Sequence, residues 1–343
     1  MSVTLKIYSI KGSFIRNYFP FKGFTGFTVR GAFGLSLRRI ICEEDLEKNC
    51  LSCPRYRECF YAWVFEATPD IKPDARLAAK GAKQGVTKPY TVTPVKVRSR
   101  MLEFKITLFS EKILSKEPLM VMAMLLMGSE GLGYDLTIGE RRKFTVNSIT
   151  AKNIYGEEKT IFDKYGGYRI EKPGRSSGSL LELFERRIEA IWALKPRKII
   201  VNFKTPFRLV FEGKNVSEPP PQALVIHLAR KYSLLAEYYG CGTPFTPRQA
   251  KRLKEITKRY MKIMYSRYKL VKLDKFSLEK GEKKSYGIFF KGTYIYKVDG
   301  GFWNHDDSKT ILKLLLLGQY LNIGKWSTAG CGKYDFLIEA TPA

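Results

Sequence analysis

A chain of 343 residues with 44% apolar side chains can fill two ordinary domains and bury a core, which excludes global disorder. Sixty Lys and Arg against 33 Asp and Glu leave a formal net charge of +27; a thermophile's charged surface would raise the acids alongside, so a polyanion, nucleic acid first, is the expected partner. The longest apolar run, Leu119 to Met127, falls short of the about 18 residues that span a bilayer, and the first residues lack a signal peptide's pattern, so a cytoplasmic protein with no membrane partner is expected.

Val3 to Ile10 alternates apolar and polar residues, the period of a half-buried strand. Lys11 to Gly26 reads as a loop rich in Gly and aromatic residues. A helix is predicted from Thr28, a suitable N-cap, with Val29, Phe33, Leu37 and Ile40 on one face. Cys42-(x)7-Cys50-(x)2-Cys53-(x)5-Cys59 follows. Thiolates at this density suit a structural zinc, or alternatively an iron–sulfur cluster, that holds a loop and does no chemistry. Reduced structural thiols or disulfides are the other reading. Thr68 to Thr87, rich in Pro, Gly and Ala, reads as a long loop. Leu102 to Phe109 is a predicted strand. Leu119 to Met127 is an apolar helix ended by Gly128, followed by Gly131, Gly133, the cations Arg141 and Arg142, and a strand over Lys143 to Val146.

Glu171 to Ser179 is the best linker, dividing the chain into residues 1–170, a connector with a helix over 171–197, and residues 198–343. A strand is predicted over Ile199 to Phe211, and a helix from Pro219–Pro221 to Gly240. Thr246 and Gln249 form a capping box, with Pro247 at the first position of a further helix. Arg248, Lys251, Arg252, Lys258, Arg259 and Lys262 make a basic stripe on that helix. It is either a solvated face or, with Tyr265, Tyr268 and the cations around them, an RNA contact. Two strands are predicted over Ser285 to Phe290 and Thr293 to Val298.

Ile311 to Phe336 then repeats the earlier order: an apolar helix broken at Gly318 or just beyond, a loop with Gly324, Gly330 and Gly332, and a strand over Lys333 to Ile338. The chain therefore reads as two copies of one module. Strand, helix, strands, helix, strand is the βαββαβ order of a ferredoxin-like, RRM-like fold, so the expected class is α+β with two such domains and a Cys-rich insertion in the first. The last loop carries Lys325, Lys333, Ser327, Thr328 and the flat ring of Trp326. Bare N–H groups, cations and a stacking surface suit a phosphodiester chain; a tight turn with no ligand is the alternative.

Leu317-Gly-(x)5-Gly324-Lys325-(x)4-Gly330-Cys-Gly332-Lys333-Tyr334 resembles the C-terminal glycine-rich signature of the CRISPR precursor-RNA-processing endoribonucleases of the RAMP superfamily. Arg30-Gly-Ala-Phe-Gly34, followed by Leu-Arg-Arg and Cys42, resembles the start of the first domain in their longer members. The resemblance implies a protein that binds CRISPR repeat RNA and cuts it without a catalytic metal, through attack of the 2′-hydroxyl on the adjacent phosphorus. It also implies other CRISPR effector subunits as partners. The rival it allows is a RAMP subunit that holds guide RNA and cuts nothing. Many members use a first-domain histidine, whereas this chain has only His227 and His305, and Asn322 stands where many relatives carry a histidine. His305, just before the signature helix, and Tyr18, Lys22 and Arg30, beside the first Gly-rich loop, are the remaining acid–base or charge candidates.

Overall fold

The alternation that begins at the N-terminus continues past Ile10, because Phe14 is as inward-facing as Tyr8 and Ile10, so β1 is Leu5–Phe14. The computed structural model describes residues 3–44, 46, 49–66, 86–153, 156–168, 180–277 and 282–339. The linker Glu171–Ser179 and the loop from Thr68 to residue 85 lie outside the described residues.

The first domain continues with α1 (Gly26–Ile41), α2 (Phe60–Phe65), β2 (Tyr90–Val92), β3 (Lys96–Arg98), β4 (Met101–Phe109), α3 (Glu111–Leu114), α4 (Glu117–Glu130), β5 (Tyr134–Asp135), β6 (Glu140–Arg141), β7 (Phe144–Lys152), β8 (Glu158–Asp163) and β9 (Gly167–Tyr168). Its sheet runs β2-β4-β1-β7-β8-β9, antiparallel throughout, and α1 and α4 pack together on it. The second half comprises α5 (Leu180–Leu194), β10 (Lys198–Phe203), β11 (Leu209–Phe211), β12 (Lys214–Val216), α6 (Pro221–Tyr239), α7 (Pro247–Tyr260), β13 (Met261–Ser277), β14 (Glu282–Val298), α8 (Asp307–Leu321) and β15 (Tyr334–Ile338). Its sheet runs β13-β14-β10-β15. In both sheets the four strands of the βαββαβ unit lie in the order second, third, first, fourth, so both halves are ferredoxin-like. One apolar core, from Val3 through Phe336, is shared by the two domains.

Local expectations shift where tertiary contacts override them. The helix α1 begins at Gly26 rather than Thr28; the Thr25 hydroxyl at its N-cap accepts no helix N–H and instead accepts the Val95 N–H at 2.9 Å. Gly128 and Gly318 do not end their helices, which run on to Glu130 and Leu321. A Cβ at Gly128 would lie 2.5 Å from Phe144 O, and one at Gly318 would lie 2.1 Å from the Tyr334 hydroxyl, so these glycines admit neighbouring elements. The strand expected over 199–211 breaks after Phe203, and Phe207 leaves to exchange both backbone hydrogen bonds with Phe290, each 2.8 Å. The two short strands expected over 285–298 are one, β14, which pairs along its length with β13, the strand that carries Tyr265 and Tyr268. The capping box at Thr246 and Gln249 is present.

Candidate nucleic-acid interface

The Gly-rich loop after α8 is a seam between the domains. Its turn at Ser327–Ala329 meets both α1 and β2. Gly330 has φ +84° and leaves room for only backbone: a Cβ there would lie 2.5 Å from Val92 O. The N–H groups expected to be bare are largely engaged inside the protein. Gly324 donates to His227 Nε2 (2.9 Å), Lys325 to Arg208 O (2.8 Å), Gly330 to Ser327 O (3.0 Å), Gly332 to Pro206 O (2.8 Å) and Lys333 to Thr205 Oγ1 (2.9 Å). The glycines thus serve close packing, not a phosphate cradle. Side chains are what the loop offers outward: Lys325 and Trp326 are exposed, and Ser327, Thr328 and Lys333 are half-buried.

Two residues one turn apart on α6 hold this loop. Partly buried His227 accepts from Gly324, and burial, then Lys231 and Arg230, push it down to about 3, so it is a neutral acceptor. The buried Lys231 ammonium donates to Leu321 O (2.5 Å), Asn322 O (3.0 Å) and Ser327 Oγ (2.8 Å), while burial pushes it down to about 7. Asn322, at φ +58°, donates from Nδ2 to Ser327 O at 2.9 Å. His227 and Lys231 were invisible as a device in the sequence, because only the helix–loop packing brings them under the glycines.

Beside the seam, the first domain has a cavity of about 600 Å³ lined by Phe14, Tyr18, Phe19, Phe21 and Phe24, with Arg16 and Arg100 among its cations. A line of aromatic rings joins it to the loop. Phe24 meets Phe27 edge-on at 5.7 Å; Phe27 meets Trp326 at 5.5 Å and stacks on Tyr286 at 4.4 Å. The Tyr18 hydroxyl donates to Glu140 Oε1 (3.2 Å) and accepts the Lys143 N–H (3.1 Å); burial raises its pKa, so the phenol stays protonated. Lys22 is exposed above the Phe19 ring, 5.5 Å from its centre. Arg30, one turn into α1, is half-buried against Tyr90, which raises its pKa although burial opposes. Lys333 is lowered by burial and then by Lys105, with Lys96 contributing, so cations from the first sheet and the second-domain loop converge. Lys96 and Lys105 are not among the site residues expected from the sequence; strand pairing places them there.

Other expected site residues lie elsewhere. Arg141 and Arg142 do not present free guanidinium groups for RNA. Arg141 donates to Glu130 O (2.5 Å) and Gly131 O (3.0 Å), satisfying the end of α4. Buried Arg142 donates to Phe19 O (3.1 Å) and Tyr134 O (2.6 Å), stands 3.6 Å from Asp135 and stacks over Phe21 at 4.8 Å. On α7, Lys251, Arg252 and Arg259 are exposed; Arg252 pairs with Asp307 at 2.6 Å, Lys251 reaches Glu255 at 3.9 Å, and Arg259 lies over Tyr260. His305 packs on Tyr260 at 5.1 Å, at the opposite end of the 15-residue α8 from the Gly-rich loop, about 22 Å away at 1.5 Å per residue. It is not brought together with Tyr18, Lys22 or Arg30. Cys42, Cys50, Cys53 and Cys59 line one cavity as free thiols. Among the described residues, no three His, Cys, Asp or Glu stand where one ion could join them.

No helix among the described residues is long and apolar enough to cross a membrane. A family described as an N-terminal domain, AF_1859_N, matches residues 5–173, and the family CRISPR-associated endoribonuclease Cas6 matches residues 201–334. No curated protein matches the chain by sequence. Among solved structures, a Cas6 from Thermus thermophilus is 12% identical with a TM-score of 0.51, covering 98% of this chain and 100% of that one. A Cas6 product complex is 13% identical with a TM-score of 0.50 and the same coverage. A chain of a partial Cas6-RT-Cas1–Cas2 complex is 12% identical with a TM-score of 0.55, covering 99% of this chain and 47% of that one. At these identities the structural likeness speaks for the fold.

Proposed function

Since this chain belongs to the CRISPR-associated precursor-crRNA-processing family, its residues 201–334 carrying the Cas6 match, we propose that it binds and cleaves CRISPR repeat RNA in the cytoplasm by metal-independent transesterification. The observation that supports this best is the row of rings from the first-domain cavity to Trp326, flanked by Arg16, Arg100, Lys22 and Lys325. The exposed rings at the two ends, Phe19 and Trp326, can accept unstacked bases, the buried Phe27 braces the line between them, and the cations hold the connecting phosphates.

In this reading the substrate 2′-oxygen forms a bond to the adjacent phosphorus and the bond from phosphorus to the 5′-oxygen breaks. The 2′-hydroxyl proton leaves, and the 5′-oxygen takes a proton. The products are a 2′,3′-cyclic phosphate and a 5′-hydroxyl. Positioning and charge stabilisation supply most of the acceleration, and acid–base help adds roughly 10²- to 10⁴-fold. Tyr18, kept protonated, suits the proton donor once the leaving 5′-oxygen replaces Glu140 as the acceptor of its O–H; Lys22 and Arg30 suit charge neutralisation.

The second reading is a RAMP subunit that binds guide RNA, assembles with other CRISPR effector subunits and cuts nothing. One observation favours it: His227 is committed to Gly324, and His305 sits at the far end of α8. Incubation with labelled repeat RNA and a chelator separates the two. Cleavage at one position, abolished by a 2′-deoxy substitution there, is expected; tight binding with intact RNA supports the subunit instead, and loss of cleavage to the chelator overturns metal independence.

A further inference from the structure

We propose that Cys42, Cys50, Cys53 and Cys59 bind one zinc ion through four thiolates and so tie the end of α1 to the start of α2. The placement of the four residues carries this. Cys42 is the C-cap of α1 and Cys59 the N-cap of α2. Between them Cys50 opens a short turn that Cys53 closes, its N–H donating to Cys50 O at 3.1 Å, with the Asn49 side chain accepting the Leu51 N–H at 3.0 Å. A second turn follows, in which Tyr56 donates to Cys53 O (3.0 Å) and Cys59 to Arg55 O (2.9 Å). Two helix ends and two flanks of one turn thus deliver four half-buried thiols to a single cavity of about 300 Å³.

The chemistry of this donor set selects the ion. Four thiolates are soft ligands for a tetrahedral centre, and an ion that only ties backbone together needs no redox change. The four Zn–S bonds form as four protons leave to solvent, and the resulting net charge of −2 is partly offset by Arg38, which lines the same cavity. The four thiols line one cavity without meeting at one point, so binding draws the side chains together on the backbone that the two turns already set. This site is separate from the RNA-facing cavity and stands whether or not the chain cuts RNA.

The test uses the full chain purified under reducing conditions, with zinc measured by elemental analysis. The expected result is one zinc per chain, released by a thiol-binding mercurial. Exchange with cobalt should give the intense thiolate-to-metal absorption of a tetrahedral centre. The Cys50→Ser/Cys53→Ser double variant should lose at least tenfold in zinc affinity, and trypsin should cut it faster within residues 42–59. Four freely reactive thiols after zinc is supplied would overturn the proposal. So would zinc fully retained by the double variant, iron with labile sulfide in place of zinc, or two disulfides.

Discussion

The Gly324 N–H donates to Nε2 of His227 at 2.9 Å, which makes a neutral imidazole part of the interdomain loop. Burial, then Lys231 and Arg230, lower His227 from 6.5 to about 3 in the folded chain. Between those values the unfolded chain binds the extra proton, so stability is complete above pH 6.5 and is lost as pH falls toward 3. The slope is at most about 1.4 kcal/mol per pH unit, and less because the ring is not wholly enclosed. His227→Gln keeps an acceptor without the titration. Urea denaturation from pH 7 to 4 should give a flatter profile for this variant than for the parent; parallel profiles would show that His227 does not titrate with unfolding.

Lys231 satisfies three acceptors on the same loop. Lys231→Met leaves buried oxygens without a donor, at about 1–3 kcal/mol of stability. Repeat-RNA affinity should fall along with it, because Ser327 and the neighbouring Trp326 lose their anchor. A variant with unaltered denaturation midpoint and RNA affinity would remove Lys231 from any bracing role.

Gly330→Ala places a methyl 2.5 Å from Val92 O in a backbone with φ +84°, whereas Gly23→Ala at φ +81° meets nothing within 4 Å. Both carry about 1–2 kcal/mol of left-handed strain, but only the first forces the domains apart. The expected loss for Gly330→Ala is more than about 3 kcal/mol by chemical denaturation. Equal losses at the two positions would mean the seam yields without cost.

Lys325 is exposed and Arg142 is 7% exposed, so the two cations should fail differently. Lys325→Ala should leave stability unchanged, weaken RNA binding and lower the salt slope of log Kd by about one. Arg142→Ala strips Phe19 O, Tyr134 O and Asp135 of a buried partner and should cost about 3–5 kcal/mol of stability. Salt titrations of RNA binding alongside thermal melts check both; a reduced salt slope in a stably folded Arg142→Ala would restore it to the interface.

Much was legible along the chain itself. Period-two alternation located β1 and β10, continuous apolar stretches located α4 and α8, apolar residues at helical spacing located α6, and the capping box at Thr246 set the start of α7. These patterns are local, so residues determine them before any tertiary contact forms. The repeated order of elements pointed to twin ferredoxin-like domains for the same reason. What each glycine and cation does was decided only in three dimensions. Gly330 and Gly324 admit backbone from other elements, Arg141 and Arg142 turn inward to unpaired carbonyls, and Lys96 and Lys105 reach the loop through strand pairing. A glycine's freedom or an arginine's charge is the same in any context; which carbonyl, ring or phosphate it meets depends on residues far away in the chain, which only folding brings near.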